Sequence, residues 1–463
     1  MISSHDRFGS ALPIIAFFLV TALIVSLFFP ASHANAENAA KPILSAEDAE
    51  GFINTLLNED AAQLDSTVLM TGPMEKAVSG MGGFRGLAQS LAALGKVESI
   101  GPAYEMQVSG LTVFRIPCRF QAMPLDLILT TEAGAIAGLV TAEFTGNTAE
   151  TSETAADPAY REISLSLPVA SLNGELPGTL LLPEGDGPFP AVILVHGSGP
   201  NDRDETLMAQ KPFKDIAEGL AASGIASFRY DKRTFVYGAA LANDIQLTLK
   251  EETVDDAVSA LKMLSHQEGI DPDRIFILGH SLGATAIPAI DQALKEQGLK
   301  ACGYLLLAGS VRPLPELMKE QYDFLYSLLP EITEAQQAEK ETLFAQLDRL
   351  NDLSSLSDDT VIFAAFVPYW RWLSEYDALA AAEKIDVPCL VLQGEEDYQV
   401  TMKDYALWEN AFKESPNWQF ISYPDLVHTF AAGQKTEGSA VYTRSNHVDP
   451  KVIEDIAQFI QSH

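Results

Sequence analysis

The pentapeptide Gly279–Gly283 (Gly-His-Ser-Leu-Gly) constrains this chain more than any other feature. It follows the apolar run Ile275–Leu278, which predicts a strand, and precedes the helix-compatible segment Ala284–Ile287. A serine on a sharp strand-to-helix turn needs glycine on both sides, because a side chain at Gly279 or Gly283 would collide across the turn. The sequence therefore predicts a nucleophile elbow with Ser281 at its tip. Free N–H groups of the following helix would face developing negative charge there.

A second glycine-rich loop fits this elbow. The apolar run Ala191–Val195 predicts an earlier strand, and Gly197 and Gly199 follow it directly. In sites of this kind such a loop supplies one N–H of the oxyanion hole, and the residue after the nucleophile supplies the other. The candidate donors are therefore the backbone N–H groups of Ser198 and Leu282.

The acid partner is expected after the next-to-last strand. The apolar run Leu390–Leu392 leads into an acidic turn in which Glu395, Glu396 and Asp397 compete. Asp397 is favoured because it stands three residues after Gly394, where the turn folds back toward the nucleophile.

The base is expected after the last strand. His428 is the histidine that follows the predicted strand Phe420–Tyr423, whereas the rival His447 stands 19 residues further on. In the predicted triad His428 takes the proton of Ser281 and later returns it to the leaving group. Asp397 holds the imidazole and stabilises its charged form.

Strands and helices alternate over residues 159–463. Short apolar strands separated by amphipathic helices are typical of an α/β architecture, here a mostly parallel eight-stranded sheet covered on both faces. The alternation of strands and helices is interrupted between Gly309 and Ile385, where only helical patterns occur. We interpret residues 312–382 as a helical cap, and its aromatic residues Phe366, Tyr369 and Trp370 either shape an apolar acyl pocket or form the core of the cap.

The first third of the chain is organised differently. Residues 40–145 begin with helical patterns and continue with alternating strand runs, which predicts a small α+β domain. The stretch 146–158, rich in Thr, Ala and Glu, is expected to be a linker. This domain contains no histidine and no set of residues that resembles a nucleophile and its base.

The N-terminal 36 residues look like an export signal. Leu12–Phe29 is almost wholly apolar, and the small-x-small sequence Ala34-Asn35-Ala36 is typical of a signal peptidase site. About 18 apolar residues are also enough for an uncleaved membrane anchor. In both cases the folded part is expected outside the cytoplasm, either periplasmic or secreted.

Charge and cysteine content exclude several other classes. The net charge of −33 disfavours binding to nucleic acid, anionic lipid or anionic substrates. No residue pattern indicates a metal site, so we expect no bound metal. Three cysteines are too few for a disulfide scaffold. They are expected to be buried free thiols, and a bridge between Cys302 and Cys389, on strands predicted to be neighbours, is the alternative.

These motifs make residues 160–463 resemble an α/β-hydrolase-fold enzyme. Bacterial carboxylesterases related to dienelactone hydrolases and prolyl oligopeptidases are resembled more closely still, in the segments Val195–Thr206, Phe228–Thr234 and Gly394–Val400. Some members of that group begin with a small α+β domain of undefined function, which residues 40–145 resemble more weakly. The resemblance implies hydrolysis of short-to-medium acyl esters, a small-molecule substrate, without a metal or organic cofactor.

Other functions remain open at this stage. A peptidase and an acyltransferase or thioesterase share the fold and the triad, and a ligand-binding envelope protein with a relic hydrolase domain belongs to a different class. The N-terminal domain could serve dimerisation, bind an envelope ligand or restrict access to the cleft, and the sequence does not choose among these roles.

Overall fold

The computed structural model describes two stretches of the chain. The first is residues 41–142 without 59, 72–73, 76–77, 79–82, 93, 109–110 and 122–123, and the second is residues 160–463 without 242–243, 330 and 364. The predicted signal or anchor (1–36) and the predicted linker (146–158) lie outside the described residues. None of the helices within these two stretches is long and apolar enough to cross a membrane.

The chain divides into two compact units. The described residues up to Thr154, with Gly238–Asp244 and Val361–Ala365, belong to the first unit. The second unit consists of Ala155–Tyr237, Ile245–Thr360 and Phe366–His463.

The first unit combines helices with an antiparallel sheet. Its five strands pair in the order β1-β3-β4-β5, and β2 pairs with the other half of β3. The elements are helices α1 (Ala46–Asn58) and α2 (Gly83–Ala92), short helical turns at Ala61–Gln63 and Leu64–Thr67, and strands β1 (Val97–Ile100), β2 (Tyr104–Val108), β3 (Leu111–Phe120), β4 (Pro124–Glu132) and β5 (Ala135–Ala142).

Helix α1 shows why this part of the sequence folds as it does. The Ser45 hydroxyl accepts a hydrogen bond from the backbone N–H of Asp48, which caps the helix start. The residues at helical spacing, Ala49, Phe52, Ile53 and Leu56, are buried. They pack with residues of α2 and of the sheet into one hydrophobic core.

The second unit contains one eight-stranded sheet. Its strands lie in the order β15-β14-β11-β10-β8-β9-β7-β6. The six neighbouring strands β15, β14, β11, β10, β8 and β9 are parallel to one another. Strand β7 pairs antiparallel with β9, and β6 pairs antiparallel with β7 at the edge of the sheet. The strands are β6 (Tyr160–Val169), β7 (Gly174–Pro183), β8 (Phe189–Val195), β9 (Ala226–Tyr230), β10 (Ile270–His280), β11 (Gly303–Leu307), β14 (Cys389–Gly394) and β15 (Trp418–Tyr423).

Helices cover both faces of this sheet. On β8, Ala191, Ile193 and Val195 face one core, and Val192 and Leu194 face the other. The helices are α3 (Pro212–Ala222), α4 (Asp255–Leu264), α5 (Leu282–Glu296), α6 (Leu314–Ser327), α7 (Glu334–Arg349), α8 (Val367–Glu375), α9 (Ala378–Ala382), α10 (Met402–Phe412) and α11 (Pro450–Ser462). Shorter helical segments of this unit occupy Ala170–Leu172, Arg233–Val236, Lys250–Val254, Leu353–Ser355 and Lys435–Thr443, whereas the short helix Gly238–Leu241 belongs to the first unit. The predicted mostly parallel α/β architecture is confirmed.

The region interpreted as a helical cap is not entirely helical. Helices α6 to α9 lie there, but strands β12 (Val361–Ile362) and β13 (Ala365–Phe366) form a short ribbon between α7 and α8. The expectation of helical structure alone was therefore wrong at this point. Strands of two residues are too short to produce an alternating pattern that sequence analysis can detect.

The cysteines are free thiols. Cys118 and Cys389 are buried, whereas Cys302 is partly exposed, and no bridge joins Cys302 to Cys389. Burial raises the pKa of the Cys118 thiol to about 12. A thiol with such a pKa is protonated and unreactive near neutral pH.

Candidate active site

Ser281 stands in a strained turn between β10 and α5. Its backbone has φ 54° and ψ −119°, a conformation that non-glycine residues rarely adopt. The flanking glycines are required by space. A Cβ on Gly279 would lie 2.4 Å from the carbonyl of Gly283, and a Cβ on Gly283 would lie 2.3 Å from the carbonyl oxygen of Val195. The turn therefore brings the serine next to the end of β8.

The Asp397 carboxylate is fully hydrogen bonded. Its Oδ2 lies 2.6 Å from Nδ1 of His428 and accepts a hydrogen bond from the Gln393 side chain. Its Oδ1 accepts hydrogen bonds from the backbone N–H groups of Gln399 and Val400. Because both oxygens are held, the carboxylate has a fixed orientation toward the imidazole.

The loops after β14 and β15 bring the acid and the histidine together. These strands are adjacent and parallel, so both loops leave the same edge of the sheet. A Cβ on Gly394 would lie 2.3 Å from the carbonyl oxygen of Leu426, which makes glycine necessary where the loops cross. The rival His447 is exposed and pairs with Asp215 on α3 instead.

The histidine loop also contacts the elbow. Nε2 of His280, the residue before the serine, lies 2.9 Å from the carbonyl oxygen of His428, and the two rings are 4.6 Å apart. The structure thus places Ser281, Asp397 and His428 on three converging loops of one unit.

The glycine-rich loop after β8 passes directly beside the serine. A Cβ on Gly197 would lie 3.0 Å from Cβ of Ser281. The Asn201 side chain donates hydrogen bonds to the carbonyl oxygens of Gly197, Ser198 and Gly199, and these bonds stabilise a bend in the loop. The left-handed backbone of Gly199, with φ +89°, permits this bend.

The second candidate oxyanion donor comes from the start of a helix. Leu282 is the first residue of α5, where backbone N–H groups have no partner within the helix. The helix dipole adds partial positive charge at this end.

Glu205 and His280 form a buried ion pair under the site that sequence reasoning missed. The Glu205 carboxylate lies 2.8 Å from Nδ1 of His280 and accepts a hydrogen bond from the N–H of Gly197. Burial opposes charge on both groups, but their attraction prevails, so the pKa of His280 is raised and the pKa of Glu205 is lowered. Only the fold brings these residues together.

His196 has a different environment from His280. It packs against the rings of Phe213 and Tyr230, and its Nε2 faces the carbonyl oxygen of Asp202 at 3.0 Å. Burial lowers the pKa of His196 to about 4, so the ring is neutral near pH 7.

Ion pairs stabilise the two sequence segments that contain Arg203 (Val195–Thr206) and Arg233 (Phe228–Thr234). Arg203 makes a bidentate contact with Asp231, and Arg233 makes one with Asp256. Planar guanidinium groups suit such paired contacts with carboxylates. Both arginines therefore fix loops of the second unit.

The predicted pocket residues lie on the cap, and one of them, Tyr369, packs against the main core. The Tyr369 hydroxyl donates a hydrogen bond to Glu252, and Trp370 is buried with its ring at an edge-to-face angle to Tyr369. Phe366 is partly buried at the start of α8. A cavity of about 540 Å³ opens beside the acid loop, and Phe324, Asp397 and Tyr398 are among its lining residues, whereas the three predicted residues are not.

Metal-ligating side chains do not cluster among the residues that the structure describes. Within the described parts of the chain, no three histidine, cysteine, aspartate or glutamate side chains are grouped so that they could hold a metal ion.

The parallel sheet, the serine elbow and the acid and histidine loops at one sheet edge define the class of α/β hydrolases. Residues 188–433 match the family described as serine aminopeptidase, S33, and the chain belongs to this family. This chain is 32% identical to the esterase EstD of Thermotoga maritima over 418 aligned residues. The alignment covers 90% of this chain and 92% of EstD.

Two solved structures are similar to part of this chain. An esterase of Pyrococcus furiosus matches with a TM-score of 0.42 and 16% identity, over 66% of this chain and 92% of its own. Est1E from Butyrivibrio proteoclasticus matches with a TM-score of 0.42 and 13% identity, over 65% of this chain and 99% of its own.

Proposed function

We propose that this protein is a serine carboxylesterase that cleaves short-to-medium acyl esters of small molecules. The observation that carries the proposal is the 2.6 Å contact between Asp397 and His428 beside the strained Ser281 elbow. His428 accepts the serine proton as Oγ attacks the ester carbonyl, and Asp397 stabilises the resulting imidazolium. His428 then protonates the leaving alcohol.

The second half of the reaction uses the same groups. Water attacks the acyl-enzyme while His428 takes its proton, and the carboxylic acid is released as the proton returns to Ser281. The N–H groups of Ser198 and Leu282 stabilise the negative oxygen of each tetrahedral intermediate. No cofactor takes part in these steps.

An ester substrate is supported by the relative EstD, which is an esterase and matches nearly the whole chain. The family description, serine aminopeptidase, supports peptide hydrolysis as the second candidate. Turnover of p-nitrophenyl esters of increasing acyl length, compared with an aminoacyl p-nitroanilide, separates the two. Faster cleavage of the anilide would overturn the ester proposal.

The nucleophile is tested by covalent labelling. A fluorophosphonate probe is expected to label the wild-type protein at Ser281 and to stop ester turnover, because it forms a stable adduct with an activated serine. Ser281→Ala should abolish labelling. The matched control Ser265→Ala, at the end of α4, should label like the wild type. Labelling that survives Ser281→Ala would contradict the assignment.

The cap is the proposed acyl-binding element, with Phe366, Tyr369 and Trp370 as its aromatic residues. Support comes from two hydrogen bonds between the cap and the catalytic core. The Tyr376 hydroxyl donates a hydrogen bond to the carbonyl oxygen of Thr285 on α5. The Gln321 side chain donates one to the backbone carbonyl oxygen of Gln399 in the acid loop. Phe366→Ala should shift the preferred acyl length in the p-nitrophenyl series.

Export, domain organisation and dimerisation complete the proposal. The apolar segment and Ala34-Asn35-Ala36 support a periplasmic or secreted protein cut after Ala36, with a membrane anchor as the alternative. We also propose domain limits of 40–145 and 159–463, with a cap at 312–382, and a homodimer as one role of the first domain. N-terminal sequencing of the exported protein and light scattering of the full chain test these points.

A further inference from the structure

The N–H and the carbonyl group of the peptide bond between Gly197 and Ser198 point in opposite directions and have different partners. Its N–H belongs to Ser198 and is the first oxyanion donor of the proposed function. Its carbonyl belongs to Gly197 and points the other way, toward the side chain of Lys232, whose Nζ lies 2.8 Å from the oxygen. One planar amide group thus connects an ammonium group to the proposed oxyanion hole.

Lys232 is unusual because it is almost completely buried. Its side chain is 2% exposed, and its Nζ lies 2.8 Å from the Glu252 carboxylate, which is 7% exposed. The other oxygen of Glu252 accepts a hydrogen bond from Tyr369 on the cap. Burying a charged lysine is costly unless it is paired and hydrogen bonded, and both conditions are met here.

We propose that Lys232 strengthens the Ser198 N–H as an oxyanion donor by polarising the peptide bond that they share. This role rests on the proposed esterase function. A cation on the carbonyl oxygen favours the amide resonance form with positive charge on nitrogen, so the N–H becomes a stronger donor. The effect is larger in a low-dielectric interior than in water.

Lys232 also fixes the direction of this donor. Gly197 is held on both sides, since its own N–H bonds to Glu205 while its carbonyl bonds to Lys232. Donors that are oriented before the reaction stabilise the transition state without reorganisation. Lys232 is therefore a positioning residue that acts through the peptide bond between Gly197 and Ser198.

The decisive comparison uses two variants that break the same ion pair. Lys232→Met removes the ammonium, whereas Glu252→Gln removes its counter-ion and keeps the ammonium beside Gly197. With p-nitrophenyl butyrate we expect Lys232→Met to lower kcat about tenfold at nearly constant KM, a fraction of the loss caused by deleting a whole oxyanion donor. Glu252→Gln should lower it by no more than about threefold.

Arg233→Met is the matched control. Arg233 is the next residue and forms another buried ion pair, with Asp256, and its hydrogen bonds go to Asp256 and Ser171. This variant should lower the melting temperature without lowering kcat per folded molecule. Should Lys232→Met fail to fold, the double variant Lys232→Met/Glu252→Gln removes both charges and should show the same low kcat.

A transition-state analogue gives an independent readout. A trifluoromethyl ketone adds reversibly to an active serine and leaves an anionic oxygen in the oxyanion hole, so its inhibition constant reports oxyanion stabilisation. In Lys232→Met this constant should rise by the same factor by which kcat/KM falls. Equal losses in Lys232→Met and Glu252→Gln, or an unchanged inhibition constant, would overturn the proposal. Absence of Ser281-dependent ester turnover in the wild type would instead reject the esterase function itself.

Discussion

The Glu205 carboxylate lies 2.8 Å from Nδ1 of His280 beneath the candidate active site. Nε2 of the same imidazole lies 2.9 Å from the carbonyl oxygen of His428. Burial opposes charge on the imidazole, but the attraction of Glu205 prevails and raises the pKa of His280. This buried ion pair therefore connects the loop of Gly197, the elbow and the loop of His428.

The ion pair predicts a pH dependence of stability. The raised pKa of His280 gives stability that is complete below its unfolded value of ~6.5 and is lost as the pH rises through the folded value. The lowered pKa of Glu205 gives stability that is present above its unfolded value of ~4.3 and is lost as the pH falls through the folded value. The contribution is therefore complete between these two unfolded values.

The test compares the wild type with the double variant Glu205→Gln/His280→Asn, which removes both titrations. Urea unfolding from pH 5 to pH 9 should show the largest stability advantage of the wild type near pH 5–6 and a smaller one at pH 9. A constant difference across this range would contradict a charged pair.

Asp397→Asn should lower kcat about 10⁴-fold while the fold is retained. The asparagine oxygen can keep the two backbone hydrogen bonds that Oδ1 now accepts, so its amide group would face Nδ1 of His428. That arrangement favours the wrong tautomer and removes the stabilising negative charge. Ester turnover and thermal unfolding measure the two effects.

The neighbouring acids provide the control for this prediction. Glu395 accepts a hydrogen bond from Ser422, and Glu396 accepts one from the N–H of Lys435. Neither bonds to His428 in this structure. Glu395→Gln and Glu396→Gln should therefore keep kcat within about threefold, and a loss comparable to that of Asp397→Asn would contradict the assignment of the acid.

The strands were predictable because their signal is local. Strands β8, β10, β11 and β14 of the parallel sheet each contain a short apolar run, as in Ala191–Val195 within β8. The elbow was predictable for a similar reason, since two glycines at fixed spacing around Ser281 reflect a steric requirement of one turn.

The supporting residues could not be predicted from the sequence. Glu205 and Lys232 stand 8 and 35 residues from Gly197, and each reaches it only through the folding of the sheet edge. Their charges look like ordinary surface charges in a chain of net charge −33. A buried polar contact between distant residues leaves no periodic pattern, so only a structure reveals it.

Two helical glycines are expected to respond to alanine in opposite directions. In Gly283→Ala the new methyl group would lie 2.3 Å from the carbonyl oxygen of Val195, so β8 and α5 must separate. We expect a loss of about 3 kcal/mol or more together with loss of ester turnover. Gly51, within α1, has no atom near an added Cβ, and Gly51→Ala should stabilise by about 0.5–1 kcal/mol. Urea unfolding and ester turnover measure both variants, and equal effects would contradict the steric argument.

His196 predicts how the protein responds to acid. Burial lowers the pKa of this imidazole to about 4, so in the folded protein it stays neutral between about pH 7 and pH 5. In the unfolded chain it takes up a proton near its ordinary pKa of ~6.5. The unfolded state therefore binds more protons as the pH falls, and the folded state loses about 2–3 kcal/mol relative to it between pH 7 and pH 4.5.

The variant His196→Gln isolates this effect. The amide nitrogen of glutamine can replace Nε2 as a donor to the carbonyl oxygen of Asp202, but it does not titrate. Urea unfolding of both proteins at pH 7 and at pH 4.5 gives the measurement, and the contributions of all other titrating groups cancel in the difference. The wild type should lose about 2–3 kcal/mol more than the variant over this interval. If both proteins lost the same stability, His196 would have to become charged in the folded state at pH 4.5, and its contacts with Phe213 and Tyr230 would not exclude the charge.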